Sequence, residues 1–219
     1  MTELHYAPGN ASMAPHMLLR ELGLPFTLQA VDRANNAQRG AAYLALNPNG
    51  HIPVLVDGGQ VIYETVAICL HLADQRPDSG LMPALGSAER GQAYKWLAWM
   101  SNTLQVRLMH HFYPERVVNR ADSPAAAEVR AQAQAHIGEL LGQLETQLAS
   151  HGGPWLLGEH FSLLDLYGLM LCRWTRGFAG DASPPARQRP GLNPWLQRVL
   201  ARPAVQAALA AEGLEAPFV

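Results

Sequence analysis

The sequence predicts an α/β unit followed by an all-helical unit, and three observations carry this prediction. Before about residue 80, short strand-like runs alternate with helical ones. Beyond residue 87, apolar side chains recur only at helical spacings. Between the two lies a stretch rich in helix breakers, residues 76–83. We therefore expect a first domain over residues 1–78, a linker over 79–86 and a helical domain over 87–219.

The first domain has the predicted element order β-α-β-α-β-β-α. Its strand–helix–strand start predicts a parallel pair of strands joined by a crossover helix. Asp57-Gly58-Gly59-Gln60 is a turn signal that predicts an antiparallel hairpin. The expected elements are strand 4–7, helix 13–22, strand 26–31, a short helix ending near residue 46, strands 54–56 and 61–63, and helix 64–74.

The second domain contains a recognisable helix start. Ser162 and Asp165 have the spacing of a capping box, with Asp in place of the more usual Glu or Gln. Phe161 and Leu166 stand at the two positions of a hydrophobic staple. We assign this motif a folding role and no catalytic one. The helices expected here cover residues 88–116, 124–148, 162–176, 192–201 and 203–211.

Composition excludes several classes of function. Hydrophobic residues make up 48% of the 219-residue chain and charged residues 16%, which is typical of a globular protein. A net charge of −2 without a basic run argues against nucleic acid and anionic membranes as partners. With no secretory signal and no long apolar run, we expect a cytoplasmic protein without a membrane span. The distant Cys69 and Cys172 are expected to be buried thiols.

Pro53 occupies an unusual place, one residue before the expected strand 54–56. Proline cannot donate to a sheet ladder, so it belongs at the first residue of a strand, at an edge or at a bulge. A cis Ile52–Pro53 bond would turn the chain sharply and leave the Ile52 amide and carbonyl unpaired. An extended peptide could then dock on them as an added strand.

Glu64 and Thr65 mark a strand that passes directly into a helix. Thr65 lies in the first turn, where free N–H groups and the positive end of the helix dipole bind carboxylates. The Glu64 carboxylate can hold an ammonium group. A peptide-like ligand with both an α-amine and an α-carboxylate would satisfy this pair, and an ordinary helix start is the alternative.

Four stretches, in this order, resemble the glutathione S-transferases, and the first is similar to the bacterial beta class. Together they span essentially the whole chain, which makes the combination far more specific than any one of them. They are residues 6–16 (YAPGNASMAPH), 47–55 (NPNGHIPVL), 63–65 (YET) and 161–165 (FSLLD).

The resemblance implies a thioredoxin-like first domain, an all-helical second domain and a homodimer. It implies that Pro53 is cis and that the Ile52 backbone pairs with the cysteinyl part of glutathione. By the same resemblance, Glu64 and Thr65 hold the γ-glutamyl end. His51 approaches the glycyl end, with a solvated loop histidine as the alternative. The implied reaction conjugates the thiolate of glutathione, a co-substrate, to a small, mostly hydrophobic electrophile in detoxification, without a metal.

Conjugation requires a thiolate, because the thiol is a poor nucleophile. A helix N-terminus plus a hydroxyl donor favours the thiolate, and Pro15 places the N-cap of the first helix near Ala11 or Ser12. Taken alone, Ser12 is expected to cap its own helix. The resemblance makes Ser12 the leading thiolate stabiliser, with Asn10 and Tyr6 as the other candidates.

The chain departs from the beta class at two positions. Ala11 stands where those enzymes typically carry a cysteine, and Gln105 where they often carry a histidine. A mixed disulfide between the protein and glutathione is therefore not available at Ala11. Two alternative functions stay open: a glutathione-dependent peroxide or disulfide reductase, and a non-catalytic glutathione-binding or interaction protein of the same fold.

Overall fold

The computed structural model describes residues 1–179 and 183–219. These residues contain a mixed β-sheet. Its strands are β1 (Thr2–Tyr6), β2 (Thr27–Ala30), β3 (Val54–Asp57) and β4 (Gln60–Tyr63), which lie in the order β2-β1-β3-β4. β1 is parallel to β2 and antiparallel to β3, and β3 and β4 form an antiparallel hairpin. The parallel pair and the hairpin are those predicted from the sequence.

Helices account for most of the remaining described residues. α1 packs against α3 and α9, and the buried side chains of α1 include Met13, Met17 and Leu18. The helices are α1 (Met13–Glu21), α2 (Ala41–Leu44), α3 (Thr65–Asp74), α4 (Ala88–Trp99), α5 (Gln105–Phe112), α6 (Pro124–His151), α7 (Leu163–Trp174), α8 (Asn193–Leu200) and α9 (Pro203–Ala211). The α/β sheet followed by helices confirms the predicted fold class.

The chain forms two compact units by packing. The first comprises residues 1–82 with 200–216, and the second comprises residues 83–199 with 217–219. The first unit takes in α9 because this helix packs against α1. The domain limits expected from the sequence, 1–78 and 87–219, stay a prediction.

The prediction of one continuous helix over residues 88–116 is wrong, because the helix ends earlier and is interrupted by a π-helical segment. A π-helical segment, Met100–Leu104, separates α4 from α5, and the helical run stops at Phe112. Tyr113 has φ −132° and ψ 58°, outside the helical region. The physical reason is Pro114, because proline disfavours the α conformation in the residue before it.

The capping box at the start of α7 is confirmed. The Asp165 carboxylate accepts hydrogen bonds from the Ser162 backbone N–H at 2.8 Å and from the Ser162 hydroxyl at 3.1 Å. Across residues 1–179 and 183–219, no helix has the length and apolar character needed to cross a membrane.

Candidate functional site

Three segments of the first unit converge on one edge of the sheet. β1 and β3 are antiparallel with His5 opposite Val54, so the end of β1 lies beside the start of β3. β3 and β4 are antiparallel with Val54 opposite Tyr63, so the end of β4 lies at the same edge. This topology brings together the loop that follows β1, the Ile52–Pro53 entry into β3, and Glu64, which follows β4.

The β1–α1 loop, residues 7–12, is closed by the Ser12 hydroxyl. This hydroxyl donates to the Ala7 carbonyl at 3.1 Å and accepts from the Ala7 N–H at 3.3 Å, and Ser12 is fully buried. Ser12 is the N-cap residue of α1, as Pro15 predicts, but its side chain does not cap the helix. The first N–H groups of α1 lack intrahelical partners, and the positive end of its dipole faces this loop.

The segment that leads into β3 is held by side chains that the sequence analysis missed. Tyr43 and Asn47 both donate to the His51 carbonyl, at 2.9 and 2.8 Å, while the His51 side chain is exposed. Burial raises the pKa of the Tyr43 phenol, which keeps it a donor. Gly50 has φ +61°, and a Cβ there would lie 2.9 Å from the Gln38 carbonyl oxygen, so only glycine fits. The sequence offers one signal for this arrangement, the turn-forming composition of residues 47–50.

The Ile52–Pro53 peptide bond is cis, as the resemblance implies. The Ile52 side chain is anchored in a hydrophobic cluster with Ala7, Tyr43 and Val54. The Ile52 N–H and C=O make no hydrogen bond to another residue in the described ranges. They precede the first paired residue of β3, so the sheet ladder does not use them.

Glu64 and Thr65 lie where β4 passes into α3. Glu64 is exposed and is the N-cap residue of α3, with φ +72° and ψ 115°. That conformation is unfavourable for any residue other than glycine and typically costs about 1–3 kcal/mol. Thr65 is buried in the first turn, and its hydroxyl makes no hydrogen bond to any other residue that the structure describes. Glu64, with its unfavourable φ, and Thr65, with its unpaired hydroxyl, are therefore neighbours at the sheet edge where the three segments meet.

Neither cysteine side chain offers a thiolate at this edge. Cys69 on α3 and Cys172 on α7 are both buried free thiols. Burial raises the pKa of the Cys69 thiol strongly and that of Cys172 to about 12, so neither is a thiolate near neutral pH. Ala11 is also buried. In the described part of the chain, no group of three or more His, Cys, Asp or Glu residues is arranged to hold a metal ion.

Both halves of the chain match known protein families. The family profile described as glutathione S-transferase, N-terminal domain, matches residues 11–75, and the C-terminal domain profile matches residues 84–203. The chain is 32% identical to glutathione S-transferase GstA of Escherichia coli O157:H7 over 97% of its own length and 100% of the relative's.

Solved structures are similar over the same extent. A glutathione transferase from Methylococcus capsulatus has 36% identity and a TM-score of 0.82, covering 97% of this chain and 99% of the other. A sphingomonad glutathione S-transferase complexed with glutathione has 33% identity and a TM-score of 0.81, covering 97% of this chain and 100% of the other. The chain therefore belongs to the glutathione S-transferase family.

Proposed function

We propose that this protein is a glutathione transferase that joins the glutathione thiolate to a small, mostly hydrophobic electrophile. The observation that carries the proposal is the convergence of the β1–α1 loop, the free Ile52 backbone and the Glu64–Thr65 helix start at one sheet edge. Each segment offers a complement to one part of the same tripeptide.

Glutathione would bind as an extended strand across this edge. The Ile52 N–H and C=O would pair with the cysteinyl residue, and the cis Pro53 would follow at the start of β3. Glu64 would hold the γ-glutamyl ammonium, and Thr65 with the amides of α3 would hold its carboxylate. His51, exposed beside this backbone, would approach the glycyl carboxylate.

The chemical step is a nucleophilic attack by glutathione, here a co-substrate. The sulfur forms a bond to an electrophilic carbon, and either a leaving group departs with its electron pair or the attacked double bond takes up a proton. The N-terminus of α1 and a hydroxyl donor would stabilise the thiolate. Ser12 remains the predicted donor. Because its O–H donates to the Ala7 carbonyl, it would have to turn away from Ala7 to reach the sulfur.

The first prediction concerns this donor. Ser12→Ala should raise the pKa of bound glutathione by about one unit, a roughly tenfold loss of thiolate below that pKa. We would titrate the thiolate absorbance of the complex and measure conjugation and peroxide reduction in parallel, with Tyr6→Phe as the comparison. Thermal unfolding controls for the loss of the Ala7 hydrogen bonds. If Ser12→Ala keeps the full rate while Tyr6→Phe does not, the donor is Tyr6. Peroxide reduction without conjugation would favour the reductase alternative.

The second prediction concerns binding. Thr65→Val keeps the shape of the side chain and removes its hydroxyl, so the Kd for glutathione should rise about tenfold. The control is Thr27→Val at the start of β2, where an exposed threonine lies at the opposite end of the strands. Isothermal titration calorimetry measures both variants. An unchanged Kd for Thr65→Val would remove Thr65 from the γ-glutamyl assignment.

We propose a homodimer, a cytoplasmic location and a role in detoxification, all from the resemblance and the composition. The absence of a cysteine at Ala11 and the burial of Cys69 and Cys172 support conjugation over redox chemistry that uses a protein thiol.

A further inference from the structure

A residue near the end of the chain reaches the β1–α1 loop from within the first unit. Glu212 directly follows α9, and its Oε2 accepts a hydrogen bond from the Gly9 N–H at 2.8 Å. Its Oε1 lies 2.7 Å from Nδ1 of His16 on α1, and the side chains of Glu212 and His16 are both fully buried. One carboxylate therefore joins the loop to the first helix.

Arg20 determines which nitrogen of His16 donates a hydrogen bond and which accepts one. The Arg20 Nε–H donates to His16 Nε2 at 2.9 Å. A guanidinium group has donors and no acceptor, so Nε2 must be the accepting nitrogen and Nδ1 must carry the hydrogen that His16 donates to Glu212. Both carboxylate oxygens of Glu212 consequently face donors, and His16 cannot reverse its role without losing Arg20.

The hydrogen bond to Gly9 fastens the middle of the loop. Ser12 and Asn10 secure one part of it, through the Ser12 hydroxyl on Ala7 and the Asn10 N–H to the Ala7 carbonyl at 3.1 Å. Gly9 lies between these contacts with φ +67°, a conformation that suits glycine. Loss of the Glu212 hydrogen bond to Gly9 would therefore weaken the hold on the Ala7–Asn10 turn beside the start of α1.

We propose that Glu212 is a positioning residue that holds the β1–α1 loop in the shape that receives the glutathione sulfur. It touches neither glutathione nor the electrophile and acts through Gly9 and His16. This inference rests on the proposed function, since it assigns to Glu212 the geometry of the thiolate subsite.

An ion pair between the same helices offers a matched control. Arg202, just before α9, donates from Nε and Nη2 to the two oxygens of Glu21 on α1, at 2.6 and 2.7 Å. This pair is also largely buried on the Glu21 side. It joins α9 to the last turn of α1, at the end of that helix opposite to the loop. Its loss should loosen the two helices without changing the contacts of Gly9.

The experiment compares Glu212→Gln with Arg202→Gln in the full-length protein. Glutamine at position 212 replaces one accepting oxygen by a donor, which removes the Glu212 acceptor of either the Gly9 N–H or the His16 Nδ1–H. We expect the KM for glutathione to rise about tenfold with kcat within about twofold, while Arg202→Gln, at a similar loss of melting temperature, keeps both. Hydrogen exchange should show a protected Gly9 amide in wild type and Arg202→Gln, and an unprotected one in Glu212→Gln.

Equal increases in KM for the two variants would overturn the inference, because Glu212 would then act only by holding α9 against α1. A Gly9 amide that exchanges freely in wild type would overturn it as well, and this measurement does not depend on whether a variant folds. Failure of the proposed function has a different signature: wild type would not bind glutathione, while the Gly9 amide would remain protected.

Discussion

Replacing Asp165 with alanine is expected to lower the free energy of unfolding by about 4 kcal/mol or more. The carboxylate is fully buried and accepts four hydrogen bonds. Besides the two from Ser162, it accepts from the Leu156 N–H and from the Trp195 indole N–H, each at 2.8 Å. Alanine would leave at least three of these donors buried without a partner, at about 1–3 kcal/mol each.

Asparagine tests whether shape alone suffices at this position. Burial raises the pKa of the Asp165 carboxyl, while the hydrogen bonds from Leu156, Trp195 and Ser162 lower it. Each oxygen faces two donors, so an amide would turn its own N–H groups toward N–H donors. We therefore expect Asp165→Asn to destabilise the protein nearly as much as Asp165→Ala.

Urea unfolding followed by circular dichroism measures both variants. The control is Asp122→Ala, which removes an exposed carboxylate paired with Arg120, both side chains being 74% exposed. Exposed pairs contribute little, so this change should stay within about 0.5 kcal/mol. A loss below about 1 kcal/mol for Asp165→Ala would mean that the four hydrogen bonds do not stabilise the folded state as the geometry indicates.

The capping box also illustrates how far sequence reasoning extends. Ser162 and Asp165 are three residues apart, and their mutual hydrogen bonds follow from the local geometry of a helix start. Leu156 and Trp195 approach the same carboxylate from a preceding loop and from α8. Those contacts depend on tertiary packing, which spacing along the chain does not encode.

The features of the candidate site also divide into those that follow from local sequence and those that depend on tertiary packing. Its backbone features were predictable because Pro53 and the abrupt strand-to-helix passage at Glu64 are local signals. The partner of the Ser12 hydroxyl was not, since a serine at an N-cap position can bond to its own helix or to a strand end, and here it bonds to Ala7. Glu212 was out of reach as well, because it meets Gly9 only after α9 has packed against α1.

Glycine in place of Glu64 should stabilise the fold and weaken the binding of glutathione. Glu64 has φ +72°, a conformation that typically costs a residue with a Cβ about 1–3 kcal/mol and costs glycine little. After the larger entropy loss of glycine on folding, the free energy of unfolding should rise by about 1 kcal/mol. Loss of the carboxylate should raise the Kd for glutathione by about ten- to a hundredfold, as for a hydrogen bond to a charged group.

Two further variants separate the backbone conformation from the charge. Glu64→Gln keeps the strained conformation and removes the charge, so the Kd should rise while stability stays within about 0.5 kcal/mol of wild type. Asn36→Gly relaxes the other positive-φ residue that is not glycine in the described ranges, at φ +56° in an exposed loop. It should leave the Kd unchanged. Calorimetric titration and urea unfolding of all three give the two quantities independently.

For Glu64→Gly, the free energy of unfolding is expected to rise while the affinity for glutathione falls, and a residue with only a structural role would not produce both changes. A residue that merely started α3 would lose stability or change nothing when replaced by glycine, and it would not alter glutathione affinity. A residue retained for its carboxylate, at the expense of backbone strain, must gain stability and lose affinity together. If Glu64→Gly binds glutathione as tightly as wild type, Glu64 does not hold the γ-glutamyl ammonium. If it is also less stable, then α3 itself requires the side chain at its N-cap.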